Sequence, residues 1–226
     1  MDEKLIKNNV QGLYDSVPDV ELYNNIYKDL KIVFIEYMKA KFPAIAAFSV
    51  LRHNRLIKIE EDRLNRLLED VQDKIKKVDI NKIDYDFIKK EEFARIVFDV
   101  LDKAKSDYRE EKLKYYANIL INYSTIEFSG DFYKEYIIDR IANYTIEHIL
   151  LLEKVYEKHL ELNDNNKLDY LDEDLPLENL SKEVTDICIN TLVADGFLIK
   201  GFWGDGYLIN ERGIKCVKLI EGFMGM

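Results

Sequence analysis

Apolar residues recur at intervals of three and four along most of residues 19–142, which is the spacing of amphipathic helices. Helices are predicted at about residues 19–41, 44–78, 87–105, 108–126 and 130–142. Amphipathic helices joined by short polar loops are typical of a helical bundle. The fold class is therefore predicted to be mainly α, with a helical bundle in the N-terminal part of the chain.

For three of these helices the sequence also predicts a capping residue and a face that packs against the core. Asp84 or Asp86 is predicted to cap the third helix, Ser106 or Asp107 the fourth, and Ser129 to start the fifth. The residues predicted to face the core are Phe93, Ile96, Val97, Val100, Leu101 and Ala104 in the third helix; Leu113, Tyr116, Ala117, Leu120 and Tyr123 in the fourth; and Phe132, Tyr136, Ile137 and Ile141 in the fifth.

The second helix carries apolar residues at heptad-like positions. They include Leu64, Leu68, Val71 and Ile75. The repeat spans about three heptads, the lower limit for a coiled coil. Packing within the chain is favoured, and a homodimer through these four residues is the alternative.

The pattern changes over residues 145–226. Ile146–Leu162 is apolar on nearly all sides, and Ser181 is predicted to cap a later helix that Gly196 ends. Two short strands are predicted at Phe197–Lys200 and Tyr207–Ile209, on either side of a glycine-rich tip. A last helix is predicted to begin at Asn210 or Glu211.

The segments TLVADGFLIKG and GYLINERGIKCVKLI resemble the core of bacterial winged-helix domains of the MarR and PadR kind. The resemblance implies a C-terminal winged-helix domain, in which the helix after Ser181 takes the position that recognises a ligand. The preceding helices resemble uncharacterised helical regions of bacterial and phage proteins. We therefore divide the chain into an N-terminal arm (1–18), a helical bundle (19–144) and a winged-helix domain (145–226).

The charge of the C-terminal part disfavours DNA binding. From Thr145 to Met226 there are 8 Lys and Arg residues against 16 Asp and Glu residues, a net charge of −8, whereas residues 1–144 hold 25 against 27, a net charge of −2. DNA binding depends on neutralising phosphates with Lys and Arg. The recognition helix itself offers Lys182 against Glu183, Asp186 and Asp195.

Candidate chemistry is sparse. His148 and His159 lie eleven residues apart on one helix, too far to share a metal ion, and Cys188 and Cys216 fall on apolar helix faces typical of buried thiols. The glycine-rich segment 201–206 lies between two strands, which indicates a hairpin tip rather than a phosphate-binding loop. No catalytic residue, metal or cofactor is predicted, and the chain is interpreted as non-enzymatic.

The preferred hypothesis is a cytoplasmic regulatory or adaptor protein that binds another protein through its acidic winged helix. No signal peptide or membrane span is predicted. The first alternative is a DNA-binding transcriptional regulator, and the second is a phage- or defence-related effector of unknown activity. The candidate partner-binding residues are Phe202, Trp203, Lys182, Glu183, Asp186 and Tyr207.

Overall fold

The structure is a computed structural model that describes residues 55–75, 77–164, 181–201 and 206–222. These residues are mainly helical, as predicted. The α-helices are α1 (Arg55–Ile75), α2 (Tyr85–Ile88), α3 (Glu91–Ser106), α4 (Leu113–Tyr123), α5 (Ile126–Ser129), α6 (Lys134–Asn143), α7 (Ile146–Asp164), α8 (Lys182–Ala194) and α9 (Glu211–Ile220). Short 3-10 helices lie at Ile80–Lys82 and, directly before α4, at Glu110–Lys112. The strands are β1 (Leu198–Lys200) and β2 (Tyr207–Ile209). The predicted arm 1–18 and the predicted helix 19–41 lie outside the described residues.

Contacts divide the chain into two compact units, and the division falls between Asp131 and Phe132. The sequence placed the domain boundary after Tyr144. Within the second unit, aromatic residues of the α6 region pack on the residue before β1: Tyr136 and Tyr144 both contact the ring of Phe197, at centroid distances of 6.0 Å and 5.9 Å. The independence of the domains stays a prediction.

The first unit has the character of a helical bundle with α4 at its centre. Helix α4 contacts both α1 and α3, and every residue of α4 except Lys114 is buried. The face predicted for the third helix is confirmed, since all six of its residues are buried in α3.

The heptad-like residues of α1 pack inside their own chain. Leu64, Val71 and Ile75 are buried, and Leu68 is half-buried. This is the intramolecular packing that the sequence favours. A homodimer through these residues stays a prediction.

Two predicted helix starts are wrong because the capping side chains have other partners. The fourth helix begins at Leu113 rather than Tyr108, since the Asp107 carboxylate accepts hydrogen bonds from Arg109. The fifth begins at Lys134, since the Ser129 hydroxyl donates to Asp84, 2.6 Å away. Phe132, predicted to face the core, precedes that helix and is 93% exposed.

The third predicted helix is interrupted. Asp84 does cap a helix, accepting a hydrogen bond from the Phe87 amide at 2.9 Å, but this is the single turn of α2. The chain becomes extended at Lys90 before α3 begins. The polar pair Lys89–Lys90 therefore separates two helices where the apolar pattern indicated one.

The C-terminal strands form the predicted hairpin. They are antiparallel, with Leu198 opposite Ile209, Ile199 opposite Leu208 and Lys200 opposite Tyr207. Leu198 and Ile209 are buried, whereas Ile199 is exposed, so one face of the hairpin lies against the core. Among the helices that the structure describes, none has the length and apolar character needed to cross a membrane.

Candidate interaction surface

Helix α8 begins and ends as its sequence predicts. The Ser181 hydroxyl oxygen accepts a hydrogen bond from the Val184 amide at 3.4 Å. At the other end Gly196 has a φ of 68°, its amide donates to Val193, and the Phe197 amide donates to Leu192 at 2.9 Å. These two bonds form a Schellman motif, which needs a left-handed residue that glycine adopts without strain. The position and length of α8 are thus set by residues at its two ends.

The inner face of α8 is packed and its outer face is exposed. The buried residues Thr185, Cys188, Ile189 and Leu192 are spaced by three and four, and the helix contacts α7 and β1. The exposed residues are Lys182, Glu183, Val184, Asp186, Ile187, Asn190 and Ala194. The outer face carries three of the predicted site residues, Lys182, Glu183 and Asp186.

This outer face has two chemically different edges. Because successive residues turn by about 100° around a helix axis, Glu183 and Asp186 lie toward one edge and Val184 and Ile187 toward the other. Ile187 is 55% exposed and Val184 is 37% exposed. The surface therefore combines carboxylates with accessible aliphatic side chains.

The structure brings together only some of the predicted site residues. Lys182, Glu183 and Asp186 are exposed on α8, within two turns of one another. Tyr207 is half-buried on β2. Phe202 and Trp203 lie outside the described residues.

Asp195 is not part of the exposed acidic surface, although the sequence counted it with Glu183 and Asp186. Its side chain is 17% exposed, and its carboxylate accepts hydrogen bonds from Arg140 at 3.1 Å and from the Tyr144 hydroxyl at 2.8 Å. Its backbone carbonyl accepts a third, from the Tyr136 hydroxyl at 2.7 Å. The charge of Asp195 is thus compensated inside the C-terminal unit.

The Asp195 contacts join α6 to the end of α8. Burial, together with the hydrogen bond that Tyr144 donates to Asp195, raises the pKa of the Tyr144 hydroxyl, which therefore stays protonated as a donor. The ring of Tyr144 also stacks on His148 at 5.2 Å, and Nδ1 of His148 lies 2.9 Å from the Thr145 hydroxyl. His148 is thus engaged in local structure at the start of α7. The sequence did not predict this cluster. The signal that could have indicated it is the group of tyrosines in and around α6.

Asn210 connects the end of α8 to the start of α9. Its side-chain amide donates to the Gly196 carbonyl at 2.7 Å, and its side-chain oxygen accepts from the Gly213 amide at 2.9 Å. The predicted start of the last helix at Asn210 or Glu211 is confirmed, since Asn210 caps a helix that begins at Glu211. Gly213 approaches so closely that a methyl group there would overlap the Phe197 carbonyl oxygen and the Ile209 side chain.

The only arginines beyond residue 131 in the sequence, Arg140 and Arg212, both have internal contacts. Arg140 pairs with Asp195, and the Arg212 guanidinium carbon lies 4.5 Å from the ring centre of Tyr133 and 5.3 Å from that of Tyr136. Arginine is the residue best suited to bidentate phosphate recognition. These contacts reduce its availability to a phosphate backbone.

A second charged cluster lies in the first unit, between α3 and α4. The Asp107 carboxylate accepts hydrogen bonds from the Arg109 side chain at 2.7 Å and from the Tyr116 hydroxyl at 3.0 Å, and it pairs with the fully buried Lys112 at 2.7 Å. Burial would raise the pKa of Asp107, but the bonds from Arg109 and Lys112 outweigh burial and lower it to about 2. Burial lowers the pKa of Lys112 to about 8, although the bond to Asp107 opposes that change.

Other groups with reactive potential lie inside the fold. Cys188 and Cys216 are free and buried, as predicted, and burial raises the pKa of both thiols. A raised pKa keeps a thiol protonated and lowers its reactivity. Within the described ranges, no three or more His, Cys, Asp or Glu side chains are grouped so that they could hold a metal ion.

Comparison with known proteins found no similar protein. The chain matches no protein-family model, no curated protein and no solved structure.

Proposed function

We propose that residues 145–226 form a winged helix that binds another protein, and that the outer face of α8 is the contact surface. The order of α7, α8, the β1–β2 hairpin and α9 supports this assignment. The protein acts in this proposal as a non-enzymatic regulator or adaptor.

The chemistry of the α8 outer face carries the proposal. A helix that reads DNA presents Arg, Lys, Asn or Gln to the bases and phosphates. Of these residue types the face has one Lys and one Asn, Lys182 and Asn190. Against them it presents the carboxylates of Glu183 and Asp186, together with two exposed aliphatic side chains. Carboxylates repel a phosphate backbone, whereas apolar side chains next to charges are common in protein interfaces.

The test is affinity capture from the native host lysate, with and without nuclease. The protein is compared with a Glu183→Lys/Asp186→Lys variant and with a control, Glu157→Lys/Glu161→Lys. Both pairs change the net charge equally, and the control residues are exposed on α7 of the same unit. We expect a nuclease-resistant protein partner that is lost in the α8 variant and retained in the control.

DNA recognition gives a different result in the same experiment. Recovery would then depend on nucleic acid, the purified protein would bind duplex DNA with a steep salt dependence, and Lys182→Glu would weaken that binding. That result, or a partner captured equally by both variants, would contradict the proposed function.

A further inference from the structure

We infer that the partner docks a cationic amphipathic helix on the outer face of α8. This inference rests on the proposed function and specifies the chemistry of the partner.

The apolar edge supplies the first requirement. Val184 and Ile187 are three residues apart, so their exposed side chains lie on neighbouring turns of one helix face. An amphipathic partner helix presents apolar residues at the same spacing and can pack against them. Because α8 has 13 residues, it offers a surface about 20 Å long, which corresponds to a partner segment of similar length.

The acidic edge supplies the second requirement. Glu183 and Asp186 are exposed beside the apolar pair, and Lys182 is the one basic residue on the outer face of α8. Residues 145–226 carry a net charge of −8, from 8 basic and 16 acidic residues. Lys and Arg on the flank of a partner helix would meet these carboxylates, and the wider negative field would increase the association rate.

The same charges disfavour other occupants. A second copy of the chain would bring Glu183 and Asp186 of each copy to a shared symmetric interface, where like charges repel. Duplex DNA and anionic lipid surfaces would be repelled for the same reason. A cationic protein segment is the occupant that complements both edges.

The test uses a defined probe and the full chain. The probe is a fluorescent amphipathic peptide of about 18 residues, with Leu along one face and Lys and Arg on its flanks. A second peptide replaces every Lys and Arg by Glu. Binding is measured by fluorescence anisotropy at low and at physiological salt, after thermal unfolding has shown which variants are folded.

We expect the basic peptide to bind and the acidic peptide not to bind. Glu183→Lys/Asp186→Lys should weaken binding roughly tenfold, with the loss smaller at higher salt. Val184→Ala/Ile187→Ala should weaken it by a similar factor because the apolar contact is lost. The controls Glu157→Lys/Glu161→Lys and Leu150→Ala/Leu160→Ala alter exposed residues of α7 and should bind like the wild type.

Two results would overturn the inference. One is binding of the acidic peptide as strong as that of the basic peptide. The other is equal binding of the basic peptide to the wild type and both α8 variants. If the α8 variant still loses the partner captured from the lysate, only the inferred chemistry of the partner is wrong. If the α8 variant retains that partner, the proposed function is wrong as well.

Discussion

At the scale of single residues, Gly213 shows how one missing side chain fixes a close approach. It lies in α9, where replacing glycine by alanine would normally stabilise the helix by about 1 kcal/mol. Here a Cβ would overlap the Phe197 carbonyl oxygen at the end of the α8 turn. Steric overlap with backbone is relieved only by moving the helix, so overlap outweighs helix propensity.

We therefore expect Gly213→Ala to lower the free energy of unfolding by about 2 kcal/mol, as measured by urea denaturation. Gly130→Ala is the matched control, because Gly130 has a φ of −89° and no atom within 4 Å of its added Cβ. It should change stability by less than about 0.5 kcal/mol. A Gly213→Ala protein as stable as the control would show that α9 can move without cost.

Asp195 shows what local sequence patterns leave out. The sequence places it correctly at the end of α8, where it looks like one more solvent-exposed carboxylate. Its charge partner, Arg140, is 55 residues away, and no periodicity or capping rule connects the two positions. The exposed residues Glu183 and Asp186 could be predicted as site candidates because exposure on a helix follows from its apolar face.

At the scale of elements, the helices whose ends depend on nearby residues were predictable. The capping hydrogen bonds at Ser181, Gly196 and Asn210 reach no further than four residues from each of them, and all three residues were identified from the sequence. The starts of α4 and α6 were not, because Asp107 and Ser129 bind side chains instead of capping the following helix. Ser129 in particular bonds to Asp84, 45 residues earlier.

The Asp107 cluster, which lies between α3 and α4, makes the free energy of unfolding depend on pH. Folding lowers the pKa of Asp107 from 3.8 to about 2, so its stabilising contribution is present above pH 3.8 and is lost as the pH falls toward 2. The lowered pKa corresponds to about 2 kcal/mol. Asp107→Asn should therefore be less stable than the wild type by about this amount near neutral pH, with the difference shrinking between about pH 4 and pH 2.

Urea denaturation across this pH range tests the expectation. Asp186→Asn is the control, since Asp186 is exposed on α8. A stability difference for Asp107→Asn that stays constant from neutral pH to pH 3 would show that ionisation of Asp107 does not stabilise the fold.

At the scale of the whole molecule, the boundary between the two units has a measurable consequence. A fragment that begins at residue 145 lacks Tyr136, Arg140 and Tyr144, the three residues that bind Asp195. A fragment that begins at residue 132 keeps them. We expect fragment 132–226 to unfold cooperatively and at a higher urea concentration than fragment 145–226.

The comparison is made by circular dichroism, with the wild-type chain as reference. The full-length Arg140→Gln/Tyr144→Phe variant, which weakens the same contacts without truncation, should also lose stability. Equal stability of the two fragments would place the start of the independent domain at residue 145, as the sequence predicts. The apolar pattern of the sequence could not decide to which unit α6 belongs, because α6 has one apolar face in either case.

The anchoring of α8 at its C-terminal end also bears on the thermodynamics of binding. Hydrogen bonds from Tyr136, Arg140, Tyr144 and Asn210 all meet at Asp195 and Gly196. A helix held at this point is already ordered before a partner arrives, so association loses little conformational entropy on this side of the interface. The entropy lost on binding would then fall mainly on the partner segment, and its own tendency to form a helix would decide the affinity.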